Sequence, residues 1–254
     1  MIYGLYLSAT GVIGNSYRQN VLANNLANGE TVGFKRDLAQ FQQRATAAQE
    51  NPSRLQWSDK IREQIGGGTF ASPTVMDRSP GELEPTGNDL DVAIQGDGFF
   101  RVLQDGKTQL TRDGRFMVDR NGRLMLANTP GSLVTDQLGN PITVDPKRRA
   151  AVSYDGQVTQ DGKPVAMLGI VDVPAGPGLT KNGNNLLSYP SADKLVQSLG
   201  TTLRPGFVER ANVDPATELA QLMDAQRQLE ANANMIRYQD QTLGKLVNEV
   251  GKIG

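Results

Sequence analysis

Two stretches at opposite ends of the chain carry the spacing of a helix, and a long middle carries that of short strands. Toward the C-terminus Leu222, Gln226, Leu229, Ala233, Ile236, Asp240, Leu243, Val247 and Val250 follow one another at intervals of four and three, a heptad rhythm without a slip. Ahead of them Asp214 suits an N-cap, Pro215 suits the first helical position, and Glu218 adds negative charge to the first turns. A helix over 215–250 would be roughly 54 Å long at about 1.5 Å per residue. That exceeds what a small domain needs for its own core, so the stripe calls for a partner. Gln226 and Asp240 resemble the polar seam positions that fix register.

At the other end Ile2, Leu5, Ala9, Val12, Ser16, Gln19, Ala23 and Leu26 form a leaner stripe over residues 2–27. Gly4, Gly11 and Gly14 interrupt it, each at a cost of about 1 kcal/mol relative to alanine inside a helix. Alone, this segment is expected to be weakly helical. Asn24-Asn25-Leu26-Ala27-Asn28 before Gly29 ends it, because asparagine prefers caps and local backbone bonds.

Between the helices the period changes. Short apolar runs alternate with Asp97-Gly98, Asp105-Gly106, Asp113-Gly114, Asn121-Gly122, Asp155-Gly156 and Asp161-Gly162, dipeptides that favour β-hairpins. Residues 37–80 fit neither period; Gln, Ala and Arg predominate before Gly66-Gly67-Gly68, which reads as an extended connector. The expected fold is α+β, with N- and C-terminal helices forming a coiled-coil-like helical domain around a central all-β domain rich in hairpins. Its parts are an N-terminal helical segment (1–36), the connector (37–80), the β domain (81–203) and a C-terminal long helix (204–254) that packs with the N-terminal helix on assembly.

Composition narrows the function. Across 254 residues, 26 basic and 27 acidic side chains give a net charge of −1, leaving no excess of positive charge for a phosphate backbone. Neither cysteine nor histidine is present, which removes disulfides, thiolate nucleophiles, Cys/His zinc sites and any imidazole base. The apolar opening has no positive charge ahead of it, the first basic residue being Arg18, so a cleaved signal peptide is not expected. Gly96-Asp97-Gly98, with Asp89 and Asp91 nearby, fits neither the phosphate-loop nor the calcium-loop template. The reading is a non-enzyme without cofactor, metal, nucleic-acid partner or small-molecule substrate.

Three blocks carry a family resemblance. Val21-Leu22-Ala23-Asn24-Asn25-Leu26-Ala27-Asn28 followed by Thr31-Val32-Gly33-Phe34-Lys35-Arg36 resembles the amino-terminal signature of flagellar basal-body rod and hook proteins. Residues 86–100 and 110–116 are similar to that family's central segment, and 206–213 with Ala225-Gln226-Arg227 to its carboxy-terminal block. The blocks span nearly the whole chain in the family's order. The run 168–173 with 179 and 183–186 is most like the proximal-rod member, the distal-rod member being the rival.

The resemblance implies an axial subunit of the periplasmic rod, exported through the flagellar type III apparatus and polymerising with itself and other rod subunits into a torque-transmitting tube. The expected subunit-interface residues are Leu5, Val12, Leu26, Asn24, Asn25, Leu222, Leu229, Ile236, Leu243, Val247 and Val250. Phe34 and Leu38 are candidates for binding the export gate. A secreted β-domain binding module is the alternative of another class; a stalk needs one helical end, whereas this chain has two.

Overall fold

The computed structural model describes residues 2–45, 68–174, 178–190, 195–198 and 201–250, with the side chains of 4–248 among them. It is an α+β structure in two compact units. One comprises Met1–Ala27, Asp37–Val75 and Asp214–Gly254; the other comprises Asn28–Arg36 and Met76–Val213.

The helical unit is built on Ile2–Ala27, 26 residues, and Pro215–Val250, 36 residues. Asp214 caps the second helix as its position suggests, its carboxylate accepting from the Ala216 amide at 3.2 Å and from the Thr217 hydroxyl. The bond from Thr217, then that from Ala216, holds this carboxyl below its ordinary value. The helices pack along their lengths. Gly4 lies against Gln239, Gly11 against Asn232, and Asn25 against Glu218. Partner numbers fall by seven as the first rise by seven, so the helices run antiparallel within one chain.

This register shifts half of the expected seam by one position. Leu222, Leu229, Ile236 and Leu243 are half-buried, but alternating with them are buried Ala225 and half-buried Asn232 and Gln239; of the expected positions Ala233 is half-buried beside Asn232, while Gln226 and Asp240 are exposed. Neighbouring positions fit a heptad equally well; the small or glycine-facing residue wins because it lets the helices approach. On the N-terminal helix the meeting face is Gly4, Gly11 and buried Asn25 rather than the stripe of Leu5, Val12 and Leu26, which is half-buried on one flank.

Residues 37–80 are not simply an extended connector. Asp37–Gln43 and Thr69–Met76 are strands that pair with each other; the intervening 46–67 lie outside the described residues. Tyr17 anchors the pair, with its hydroxyl donating to Ser72 O at 3.0 Å and its ring edge-on to Phe41 at 6.2 Å. Gly14 also faces Phe41.

The β unit shows which turn signals make hairpins. Asp105-Gly106 and Asp161-Gly162 both take positive φ and join strands in two-residue loops, with Gln104 opposite Lys107 and Gln160 opposite Lys163. This is the type I′ geometry that matches strand twist. Asp97-Gly98 and Asp113-Gly114 do otherwise. A Cβ on Gly114 would stand 1.7 Å from Val92 O, so this glycine permits a crossing of backbones rather than a turn.

The largest sheet runs through Phe99–Gln104, which pairs with Lys107–Thr111, Leu133–Val134 and Ile170–Asp172. Alternate residues of these strands point inward, and the core gathers Val92, Ile94, Phe100, Val102, Leu124 and Leu203. The β region does not end at 203: Thr202–Pro205 pairs with Val92–Gln95, and Phe207–Glu209 with Leu83–Pro85. Strand pairing thus carries the exit segment into the same unit as the core.

Phe100 is fully buried and meets Phe116 edge-to-face at 5.1 Å. We predict that Phe100→Ala costs about 3–5 kcal/mol, measured as the loss in denaturant midpoint of the β unit; a loss below about 1 kcal/mol would contradict this core.

Candidate functional site

The second half of the amino-terminal signature, residues 31–36, meets the central and carboxy-terminal blocks inside the β unit. Glu209 ends the strand Phe207–Glu209 with its side chain 1% exposed. One carboxylate oxygen accepts from Lys35 Nζ at 2.6 Å and the Gly81 amide at 2.8 Å; the other accepts from Arg112 at 3.0 Å. Lys35 also donates to Ser79 O at 2.7 Å, and Arg112 to Gly96 O at 2.7 Å while lying 5.3 Å over the Phe99 ring. One buried anion therefore faces two buried cations; carbonyls take up further donors of both, while Arg112 Nε is buried without a hydrogen-bond partner among the described residues.

The neighbours of Lys35 are fixed as closely. Gly33 has φ +69, and its Cβ would be 2.4 Å from the Arg112 carbonyl carbon; only glycine meets both demands. Its amide donates to Glu209 O at 2.7 Å. Phe34 is buried with Ala211 and Val213, under the Lys181 ammonium 4.0 Å from the ring. Asn212 accepts from the Arg36 amide at 2.8 Å and donates to Asp77 O and Ser79 O, each at 3.1 Å. Every partner is a structural bond of the folded chain; what this arrangement does is hold segments 31–36, 77–81, 112 and 209–212 together.

Burial is the first cause of a lowered Lys35 pKa, opposed by the charge of Glu209. The unfolded chain then keeps a proton that the folded chain has released, so stability rises with pH between the folded pKa and the ordinary 10.5.

In the helical unit, Asn25 brackets the start of a strand: its Nδ2 donates to Asp37 O and its Oδ1 accepts from the Asp37 amide, both at 2.9 Å. A further contact reaches Glu218 at 3.4 Å. Asn25 is 1% exposed, so it is turned into its own chain and not toward a neighbour; Asn24 is exposed. Val247 is 71% exposed, since in this register the C-terminal helix runs past the start of its partner. The side chain of Val250 lies outside the described residues. The two export-gate candidates separate: Leu38 is 42% exposed, whereas Phe34 is in the core.

On one flank of the helix pair is an open groove of about 470 Å³, lined by Gln19, Asn20, Ala23, Leu222, Gln226, Leu229 and Glu230. Gln19 and Ala23 come from one expected stripe, Leu222, Gln226 and Leu229 from the other. The two stripes therefore line a common side of the pair.

Glu209 and Arg112 escaped sequence reasoning as a pair. They stand 97 positions apart, and a lone acid beside Val208 at the end of an apolar run is the only local signal.

Three family models match the chain: flagella basal body rod protein over residues 5–35, the flagellar hook protein FlgE/F/G D1 domain over 93–160, and the flagellar basal body rod FlgEFG protein C-terminal model over 204–249. The flagellar basal-body rod protein FlgG of Buchnera aphidicola subsp. Baizongia pistaciae is 34% identical, over 97% of this chain and 99% of that one. This chain belongs to the flagellar basal-body rod protein family. FlgG of Bacillus subtilis is 31% identical over 98% and 99% of the two chains, and FlgF of Caulobacter vibrioides 31% identical over 92% of each. The chain is a structural subunit of the flagellar basal-body rod and not an enzyme.

For the buried ion cluster we predict that Glu209→Gln, which strands two cations, costs about 3–5 kcal/mol in equilibrium unfolding. We also predict that Lys35→Met flattens the rise of stability toward pH 10.5; an identical alkaline slope in variant and unchanged chain would refute the assignment to Lys35.

Proposed function

We propose that the terminal helices polymerise this rod subunit, with the groove between them receiving a helix of a neighbouring rod subunit so that the pair becomes part of a coiled-coil-like, torque-transmitting tube. The observation that carries this reading is that Gln19 and Ala23 of one stripe and Leu222, Gln226 and Leu229 of the other line the same open groove of the pair. Apolar surface buried there, at about 25 cal/mol per Å² and repeated over many subunits, supplies the driving force. Val247, 71% exposed, is a further uncovered apolar side chain on the C-terminal helix.

Within the rod, the proximal position is supported by the likeness over 168–186, while the similar relatives carry both the FlgF and FlgG names. Leu168, Val171, Val173 and Leu186 are core residues, so that likeness concerns packing, and position is a matter for direct test. Export without a cleaved signal, into the periplasmic rod, completes the reading. Because Phe34 is buried in the fold, recognition of Phe34 and Leu38 by the export gate belongs to the chain before it folds.

Ala23 is exposed and lines the groove, so Ala23→Glu separates folding from assembly. The expected result is an unchanged unfolding curve with loss of swimming and of assembled rod. Normal motility in that variant would remove the groove from the interface. Isolating rod intermediates from cells lacking the chain decides position: intermediates that still contain the distal-rod protein contradict the proximal reading.

A further inference from the structure

We propose that the β unit carries an interaction surface for a second copy of this chain: exposed Leu138, Tyr154, Val165 and Met167 at one edge of a small sheet, received in the neighbouring copy by a groove at Leu90, Met117 and Val118 along the opposite edge.

Three five-residue turns of the β unit share one construction. In 119–123, 136–140 and 153–157 the side chain of the first residue, Asp119, Asp136 or Ser153, accepts from the amide of the fifth at 2.8, 2.8 and 3.2 Å. The fourth residue is a glycine at positive φ whose amide donates to the first carbonyl. Such turns hold two tip residues out in water, where polar side chains are usual. The first turn presents exposed Arg120 and Asn121, but the others present Leu138, 85% exposed, and Tyr154, 65% exposed. Because the backbone beneath these two tips is already fixed, little ordering entropy is lost when they dock.

The two apolar tips are neighbours. Asp136 bridges to Leu168, and Gly156 O accepts from the Leu168 amide at 2.9 Å, so both turns flank the end of the strand Lys163–Met167. Ala166 and Leu168 pack on the core, which by the alternation of a strand sends Val165 and Met167 outward, and both are exposed. This strand is one edge of a three-stranded sheet, with Gln157–Gln160 in the middle and Ala150–Val152 at the other edge. Single exposed apolar side chains are ordinary, whereas four gathered at one edge form a patch. Lys163, Pro164 and the bulge at Val165 interrupt that edge, which disfavours addition of a further strand. A partner therefore meets side chains and not backbone.

Along the other edge runs a groove of about 430 Å³ whose lining includes Leu90, Met117, Val118 and Ala150. Ala150 belongs to the edge strand itself, and the Val152 amide donates to Asp89 O at 3.1 Å. The charges are complementary: the turns 136–140 and 153–157 contain Asp136 and Asp155 and no base, while the groove lining contains Arg148 and Arg149 against Asp89. With patch and groove on opposite edges, the contact is heterologous and repeats from copy to copy side by side, as a ring or helical tube requires. So small a contact falls short of the roughly 1,200 Å² that a stable pair of proteins buries, and it acts where other contacts already hold the copies together. The proposal rests on this chain being a rod subunit and not on the groove of the helical unit, so the outcome for Ala23→Glu does not bear on it.

The chain has no cysteine, which makes disulfide trapping in isolated basal bodies direct. Cells making Leu138→Cys and Met117→Cys chains together should give, on mild oxidation, at least ten times more covalent dimer than cells making either chain alone. Rods that contain both chains without that dimer would overturn the proposal, as would an equal yield from Leu138→Cys alone, the mark of a two-fold contact. A second arm needs no cysteine. Leu138→Asp should leave the denaturant midpoint of the β unit unchanged and reduce swimming, and Met117→Lys in the same chain should restore it, whereas Arg120→Asp on the third turn should have no effect. Leu138→Asp cells that swim like Arg120→Asp cells, or a loss that Met117→Lys does not restore, would equally sink the assignment.

Discussion

Glu209 is the residue on which the β unit turns, because a carboxylate 1% exposed cannot stay charged without partners and cannot be relieved by water. It finds two cations and an amide, and each belongs to a different stretch of chain: Lys35, Arg112 and Gly81. Bringing them within 3.0 Å dictates the tight path of residues 31–36, and hence Gly33 at positive φ against the Arg112 carbonyl. It also places Phe34 against Ala211 and Val213. Such a cluster is a poor source of net stability, since desolvation offsets much of the attraction. What it confers is uniqueness: any other packing of these segments leaves a buried charge alone.

The helical unit solves a similar problem with uncharged groups. Its meeting face is only partly apolar, alternating Leu222, Leu229, Ile236 and Leu243 with Ala225, Asn232 and Gln239. Gln239 Oε1 is buried without a partner among the described residues, a cost that apolar residues would avoid. Asn25, by contrast, uses both ends of its amide on the Asp37 backbone and so ties the end of one helix to the start of a strand. The pair is accordingly specific rather than strongly held.

Sequence patterns revealed elements better than contacts. The 4-3 rhythm located the C-terminal helix, and Asp105-Gly106 and Asp161-Gly162 located hairpins, because helix period and type I′ turns are local properties. The same dipeptide at Asp113-Gly114 serves a backbone crossing with Val92, which no local signal distinguishes. The choice of Gln239 over Asp240 as a seam position depended on Gly4, at the other end of the chain. Gly4 and Gly11 looked like weaknesses of an isolated helix, and became intelligible only with a partner helix beside them. The candidate interface residue Asn25 and the export-gate candidate Phe34 proved to be buried within the chain, which their polarity pattern and motif membership could not tell.

That division between local and distant information bears on how the subunit works. On the proposed reading, the subunit must keep its fold under torque yet join neighbours through surfaces that are dry only after assembly. Buried charge in the β unit answers the first requirement, since loosening it would expose Lys35 and Arg112 to an environment without their anion. The second requires surface left over once the helices have paired. Pairing through glycines and amides leaves the stripes on the flank, around the groove at Ala23 and Leu229, half-covered instead of consuming them. A seam built only of leucines would have drawn these residues inward and left a polar exterior with nothing to offer a neighbour.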